Sequence, residues 1–90
     1  MLEFEGQRVI VTGGAGHIGR AICEAFLEAG AQVLACGRRQ PEQPIVAAGR
    51  EARFISADLR NADASQSVID RALAEWGGID ILVNNAGGSP

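Results

Sequence analysis

The 90-residue sequence predicts an α/β chain built on a doubly wound parallel sheet. Three observations predict it. Short β-branched runs alternate with stretches of helical periodicity. A glycine-rich segment, Thr12-Gly13-Gly14-Ala15-Gly16-His17-Ile18-Gly19, stands where the first apolar run hands over to the first helical pattern. Polar or glycine-containing segments follow each later strand at what a parallel arrangement makes the same edge.

The elements follow in order. Residues 8–12 carry Val9-Ile10-Val11, a short buried strand with a turn signal behind it. From 17 to 29 the apolar residues Ile18, Ala21, Ile22, Ala25, Phe26 and Ala29 recur at helical spacing, opposite Arg20, Glu24 and Glu28. Gly30 is the expected stop. Residues 31–36 form a second buried strand. Residues 37–50 hold Pro41 and Pro44 and little periodicity, which predicts a loop with at most one helical turn at 45–48. Residues 52–57 form a third strand. Asp63 caps a helix to Trp76 with Val68, Ile69, Ala72, Leu73 and Trp76 inward, and Gly77-Gly78 ends it. Residues 79–84 are the fourth strand. Right-handed crossovers give the strand order 3-2-1-4, and a crevice opens between strands one and four where the order reverses.

The bulk properties narrow the function classes. Ninety residues make one domain at most, with a thin core of its own. A net charge of −3, and no basic run longer than Arg38-Arg39, argue against nucleic acid as the main partner. No apolar stretch is long enough for a membrane span. The acidic start, Met1-Leu2-Glu3-Phe4-Glu5, is unlike a secretory signal and implies a cytoplasmic protein. Cys23 and Cys36 match no metal or redox spacing and read as buried, reduced thiols, so no metal site is expected. Phe4, Phe26, Phe54 and Trp76 read as packing residues.

The glycine segment carries the chemistry. Gly13 permits a tight exit from the strand, Gly16 lets backbone approach an anion, and Gly19 lets the helix pack close to the strand it left. The N–H groups and positive dipole end of the helix then face a phosphate. His17, the single histidine, sits at that helix start and reads as a phosphate contact or surface residue, not a catalytic one.

Thr12 to Gly19, Gly37-Arg38-Arg39, Asp58-Leu59 and Asn84-Asn85-Ala86-Gly87 occur in this order, each after one strand. Together they resemble the N-terminal half of the short-chain dehydrogenase/reductase family, a Rossmann-type fold, over essentially the whole chain. The tetrapeptide resembles the classical branch. The spacing T-G-x-x-G-x-x-G, with glycine at 16 and histidine at 17, is more similar to the extended branch; the tetrapeptide weighs more. The resemblance implies that N–H groups around His17 and Ile18 receive a dinucleotide pyrophosphate. It implies that Asp58, with Leu59 beside it, meets the adenine amino group, and that Asn85, Ala86 and Gly87 line the ribose and the approach to the nicotinamide. Thr12, Gly13, Gly16 and Gly19 complete the implied cofactor site. No acidic residue follows the second strand to accept from a ribose 2′-hydroxyl, and Arg38 can clamp a 2′-phosphate instead. NADP(H) is therefore favoured and NAD(H) is the alternative. Arg39 reads as solvated loop.

Members of the family use a Tyr-x-x-x-Lys pair and a serine to transfer hydride between nicotinamide and a carbonyl or alcohol. This chain has no tyrosine, and all eight of its Lys/Arg positions are arginine. Ser56, Ser65, Ser67 and Ser89 lie outside the place of the family's serine. No catalytic residue is assigned, and the chain alone is expected to be inactive. Residues 1–90 are expected to be the N-terminal part of one NAD(P)-binding domain without its catalytic half. An edge strand at 79–83 with one sheet face uncovered would fit that reading. The whole enzyme would then be a homo-oligomer acting on a small molecule. A non-catalytic nucleotide-binding module and a structural remnant are the alternatives.

Overall fold

The computed structural model describes residues 2–14 and 16–85. The elements run β1 (Arg8–Thr12), α1 (His17–Glu28), β2 (Gln32–Gly37), β3 (Val46–Ala47), β4 (Arg50–Glu51), β5 (Arg53–Ser56), α2 (Ala62–Trp76) and β6 (Ile81–Val83). Four of the strands form one sheet in the order β5-β2-β1-β6. Every pairing in it is parallel, with Val9 opposite both Val33 and Ile81. Counted over these four strands alone, this is the expected 3-2-1-4.

Over β1 and β2 the sheet is covered on both faces, while the edge strand β6 stays partly open, as expected. Val9, Val11, Val33 and Ala35 pack with Cys23 and Leu27 of α1, and Ile45 and Ala52 close that side. Ile10, Leu34 and Cys36 pack with Val68 and Ala72 of α2 on the other. Strands buried on both faces explain why β1 and β2 read as continuous apolar runs and not as alternating ones. Both cysteines are free and fully buried, and burial pushes each thiol up to about 11.

Four local expectations need correction. The buried face of α1 is Gly19, Cys23 and Leu27, while Ile18, Ala21 and Ala25 point outward and Ile18 is 69% exposed. Backbone contact at Gly19 sets the rotation of the helix, and the one-in-four row through it then faces the sheet. Asn61, not Asp63, caps α2: its Oδ1 accepts from the Asp63 N–H at 2.8 Å and the Ala64 N–H at 3.2 Å. Asp63 lies in the first turn, where the helix dipole favours an acid. Leu73 of α2 is 46% exposed, unlike its buried neighbours. Residues 45–48 form no helical turn. β3 and β4 make an antiparallel hairpin whose corner, Ala48 and Gly49, has φ of 54° and 74°. Two successive positive φ angles define a tight hairpin turn that asparagine-glycine normally announces, so Ala-Gly concealed it.

At the opposite edge from the glycine segment, Arg8 ties β1 to the end of α2. Its backbone N–H and Nε donate to Asp80 Oδ2 at 2.8 and 2.9 Å, and one terminal nitrogen donates to the Trp76 carbonyl at 3.1 Å. β6 pairs with β1 alone among the described residues, and its Leu82 is 59% exposed. No described helix is long and apolar enough to cross a membrane.

Candidate functional site

The order of the sheet reverses between β1 and β6, because β2 and β5 lie on one side of β1 and β6 on the other. Crevices of open α/β sheets form at such a point, outside the carboxyl ends of the strands. Thr12 ends β1 there and is 9% exposed. Its Oγ1 lies 3.3 Å from the Val83 carbonyl and 3.2 Å from Asn84 Oδ1, to one of which its proton goes, and it accepts from the Asn85 N–H at 2.8 Å. Asn85 Nδ2 reaches the Gly13 carbonyl at 3.4 Å. One hydroxyl thus joins the glycine turn to the segment after β6. Ala86 and Gly87 lie outside the described residues.

The glycines divide by what surrounds them. Gly13 has φ of 70°, a left-handed conformation that glycine adopts without strain. A Cβ at Gly19 would run into the Gly13 carbonyl and come within 2.7 Å of Gly14 Cα. A Cβ at Gly14 would lie 2.5 Å from Ala35 Cβ, so this position is as tightly packed, although no motif assigned it a role. Gly16 differs: among the described residues beyond its chain neighbours, a Cβ there would meet the Gly13 carbonyl alone, at 3.7 Å. Packing does not require glycine at 16; an approaching ligand would.

The two helices start differently. α2 has its asparagine cap and Asp63 in the first turn. α1 starts from Gly16 with no side-chain cap and no acid in its first turn, and Gly16, His17 and Ile18 are exposed. The dipole end and N–H groups of α1 are left facing the crevice, as anion sites are built.

Arg38 and Asp58 sit on neighbouring strand ends. Gly37 is in register with Ser56, the Ala57 N–H donates to the Gly37 carbonyl at 2.7 Å, and Ser56 Oγ donates to the Arg38 carbonyl at 3.0 Å. Arg38 and Arg39 are exposed. The Asp58 carboxylate is held by Arg60, whose N–H and Nε donate to Oδ1 and whose terminal nitrogen donates to Oδ2, all at 3.0 Å. These bonds, with a smaller attraction from Arg38, lower the Asp58 carboxyl to about 2. Leu59 is partly buried against the α2 side of the core. Arg60 escaped the sequence reading, although an Asp-x-Arg step after a strand was its available signal. Arg20 escaped it too: this α1 residue donates to the Gln43 and Pro44 carbonyls at 2.6 and 3.3 Å and so anchors the far end of the loop that carries Arg38.

The structure therefore gathers Thr12, Gly13, Gly16, His17, Ile18, Asn84 and Asn85 at the switch point. It places Arg38 and Asp58 further along the same edge, beyond β1. Such an edge can hold an extended, anionic, two-ended ligand. Known proteins show the same arrangement of sequence and fold. The sequence pattern of the short chain dehydrogenases matches residues 7–90. A short chain dehydrogenase of Pseudocercospora fijiensis is 41% identical over 90 residues, a stretch that takes in 94% of this chain and 29% of that protein. The 3beta-hydroxysteroid dehydrogenase 2 of Eggerthella lenta is 38% identical over 87 residues, or 91% of this chain and 34% of that one. The crystal structure of NADH-dependent reductase A1-R′ complexed with NAD superposes with a TM-score of 0.85 at 29% identity, over 96% of this chain and 38% of that one. The chain spans roughly a third of the length of these relatives. With the parallel sheet, its order and the glycine turn in agreement over nearly every residue, the chain belongs to the short chain dehydrogenase family.

Proposed function

We propose that residues 1–90 are the NAD(P)(H)-binding, N-terminal part of an oxidoreductase's Rossmann domain. The substrate of the whole protein is a small-molecule carbonyl or alcohol, and the protein works as a cytoplasmic homo-oligomer. The observation that carries the reading is the uncapped start of α1 behind Gly16, set at the switch point of the sheet. In this reading the bound nicotinamide supplies hydride chemistry. The chain's own residues bind and orient. N–H groups of α1 around His17 and Ile18 take the pyrophosphate, Thr12 holds Asn85 against the turn, and Asp58 accepts from the adenine amino group. Asn85, with Ala86 and Gly87, lines the ribose and the way to the nicotinamide.

Arg38 favours NADP(H), because an exposed guanidinium at this strand end suits a 2′-phosphate. The NADH-dependent relative keeps NAD(H) as the second choice. A nucleotide-binding module without catalysis is the second reading. A Tyr-x-x-x-Lys in polypeptide following Pro90 separates the two.

The cofactor reading is tested by titrating the folded protein with NADPH and NADH and following nicotinamide fluorescence. Replacing Arg38 with Ala weakens NADPH by about tenfold, the loss of one or two charge-assisted hydrogen bonds, and leaves NADH within about a factor of two. Equal losses for both nucleotides refute the NADP(H) preference, and no saturable binding refutes the cofactor site.

A further inference from the structure

The Asp58–Arg60 pair does something beyond presenting a carboxylate to adenine. Arg38 and Asp58 lie on adjacent strand ends, brought together by the Gly37–Ser56 register and the hydrogen bonds from Ala57 and Ser56 into the 37–38 backbone. The Arg38 guanidinium attracts the Asp58 carboxylate from this position, more weakly than Arg60 does. The two form no ion pair among the described residues. Both oxygens of Asp58 are engaged by Arg60 in a fork that also uses the Arg60 backbone N–H. No hydrogen bond or ion pair among the described residues takes up the Arg38 guanidinium. The three residues form a competition: one carboxylate, two guanidinium groups, and the nearer in sequence holding it.

We propose that Arg60 is a specificity-supporting residue that acts through Asp58, withholding this carboxylate from Arg38 so that the Arg38 guanidinium stays available to a phosphate ester on the ribose 2′ position. The proposal rests on the reading of this edge as a dinucleotide site. Arg60 touches neither reacting atoms nor, in this account, the phosphate. It is a positioning residue. Its side chain is well exposed and takes no part in the core, so its removal leaves packing intact. Removal would, however, leave Asp58 with Arg38 as its remaining cationic neighbour. The 2′-phosphate would then have to displace an internal ion pair, a penalty that a ribose without the phosphate does not meet.

The test compares NADPH and NADH dissociation constants for the wild-type chain, Arg60→Ala, and the double variant Arg60→Ala with Asp58→Asn. Arg60→Ala lowers the preference for NADPH over NADH by about fivefold, and Asp58→Asn in the same chain restores it to within about twofold, because the competing charge is gone. A merely structural role for Arg60 would not be reversed by removing its partner. Equal weakening of both nucleotides in Arg60→Ala, or no recovery in the double variant, overturns the proposal while leaving the dinucleotide site in place. Failure of the folded wild-type chain to bind either nucleotide overturns both.

Discussion

Two glycines three positions apart should respond to the same substitution in opposite ways. At Gly19 a methyl group would strike the Gly13 carbonyl and crowd Gly13 C and Gly14 Cα at 2.7 Å, all of them backbone atoms that cannot rotate aside. Alanine gains about 1 kcal/mol of helix propensity over glycine. Overpacking against rigid backbone costs about 3 kcal/mol at the upper end of its usual range. The clash wins, and Gly19→Ala loses about 2 kcal/mol, or about 8–16 °C in Tm for a domain of this size. At Gly16 the added methyl meets one atom at 3.7 Å, ordinary contact, and φ of −76° with ψ of 170° suits alanine. Alanine is the poorer N-cap by about 1 kcal/mol, which a reduced unfolded-state entropy of about 0.4–1 kcal/mol largely offsets. Stability should therefore stay within about 0.5 kcal/mol of wild type. Nucleotide affinity should not: in the proposed site the methyl would stand where the pyrophosphate approaches, and NADPH binding should fall about tenfold or more. Thermal unfolding by circular dichroism and titration calorimetry read the two effects separately. A Gly16→Ala protein that loses as much Tm as Gly19→Ala, or binds NADPH as wild type does, refutes the division between a packing glycine and a ligand glycine.

Two further outcomes concern the frame that holds the site. Arg8 holds the Asp80 carboxyl at about 2, below the ordinary 3.8. Because the folded value is the lower one, the stabilisation is full above the unfolded value and is lost as pH falls from about 4 toward 2. Asp80→Asn should lower Tm near neutrality and flatten its fall across that acid window, as thermal melts at stepped pH will record. An unchanged acid profile would show that the pair contributes nothing measurable, the usual fate of exposed ion pairs. Asn61→Ala removes the acceptor for the Asp63 and Ala64 N–H groups and should cost about 1 kcal/mol, whereas Asp63→Asn should cost less than half of that, measured by urea denaturation. The reverse ranking would return the cap to Asp63.

Much of this frame was legible beforehand. β1 has the bounds 8–12 read around its β-branched run, and the sheet order follows from the βαβ alternation and the hand of the crossovers. Both cysteines lie in the core as their surroundings implied. The errors have a common origin. The apolar period of α1 is nearly symmetric between the row of Ile18, Ala21 and Ala25 and the row of Gly19, Cys23 and Leu27, and periodicity alone does not choose between them. The Ala48-Gly49 corner carries no residue that advertises two positive φ angles. Asn61 and Asp63 are equally good caps by residue type.

The linear order of residues determined the class of fold, the position of the glycine turn and the absence of any Tyr–Lys pair from these residues. These are matters of local conformational preference and composition, which a sequence carries openly. Only the packed structure decided which glycine is tight and which is open, because that depends on atoms brought to Gly19 from Gly13 and to Gly14 from β2. It likewise decided that Thr12 is the joint between β1 and Asn85, and that Arg60 has taken the carboxylate which lies beside Arg38. A hydrogen bond across a sheet edge has no local signature, since its partners become neighbours only when the strands align.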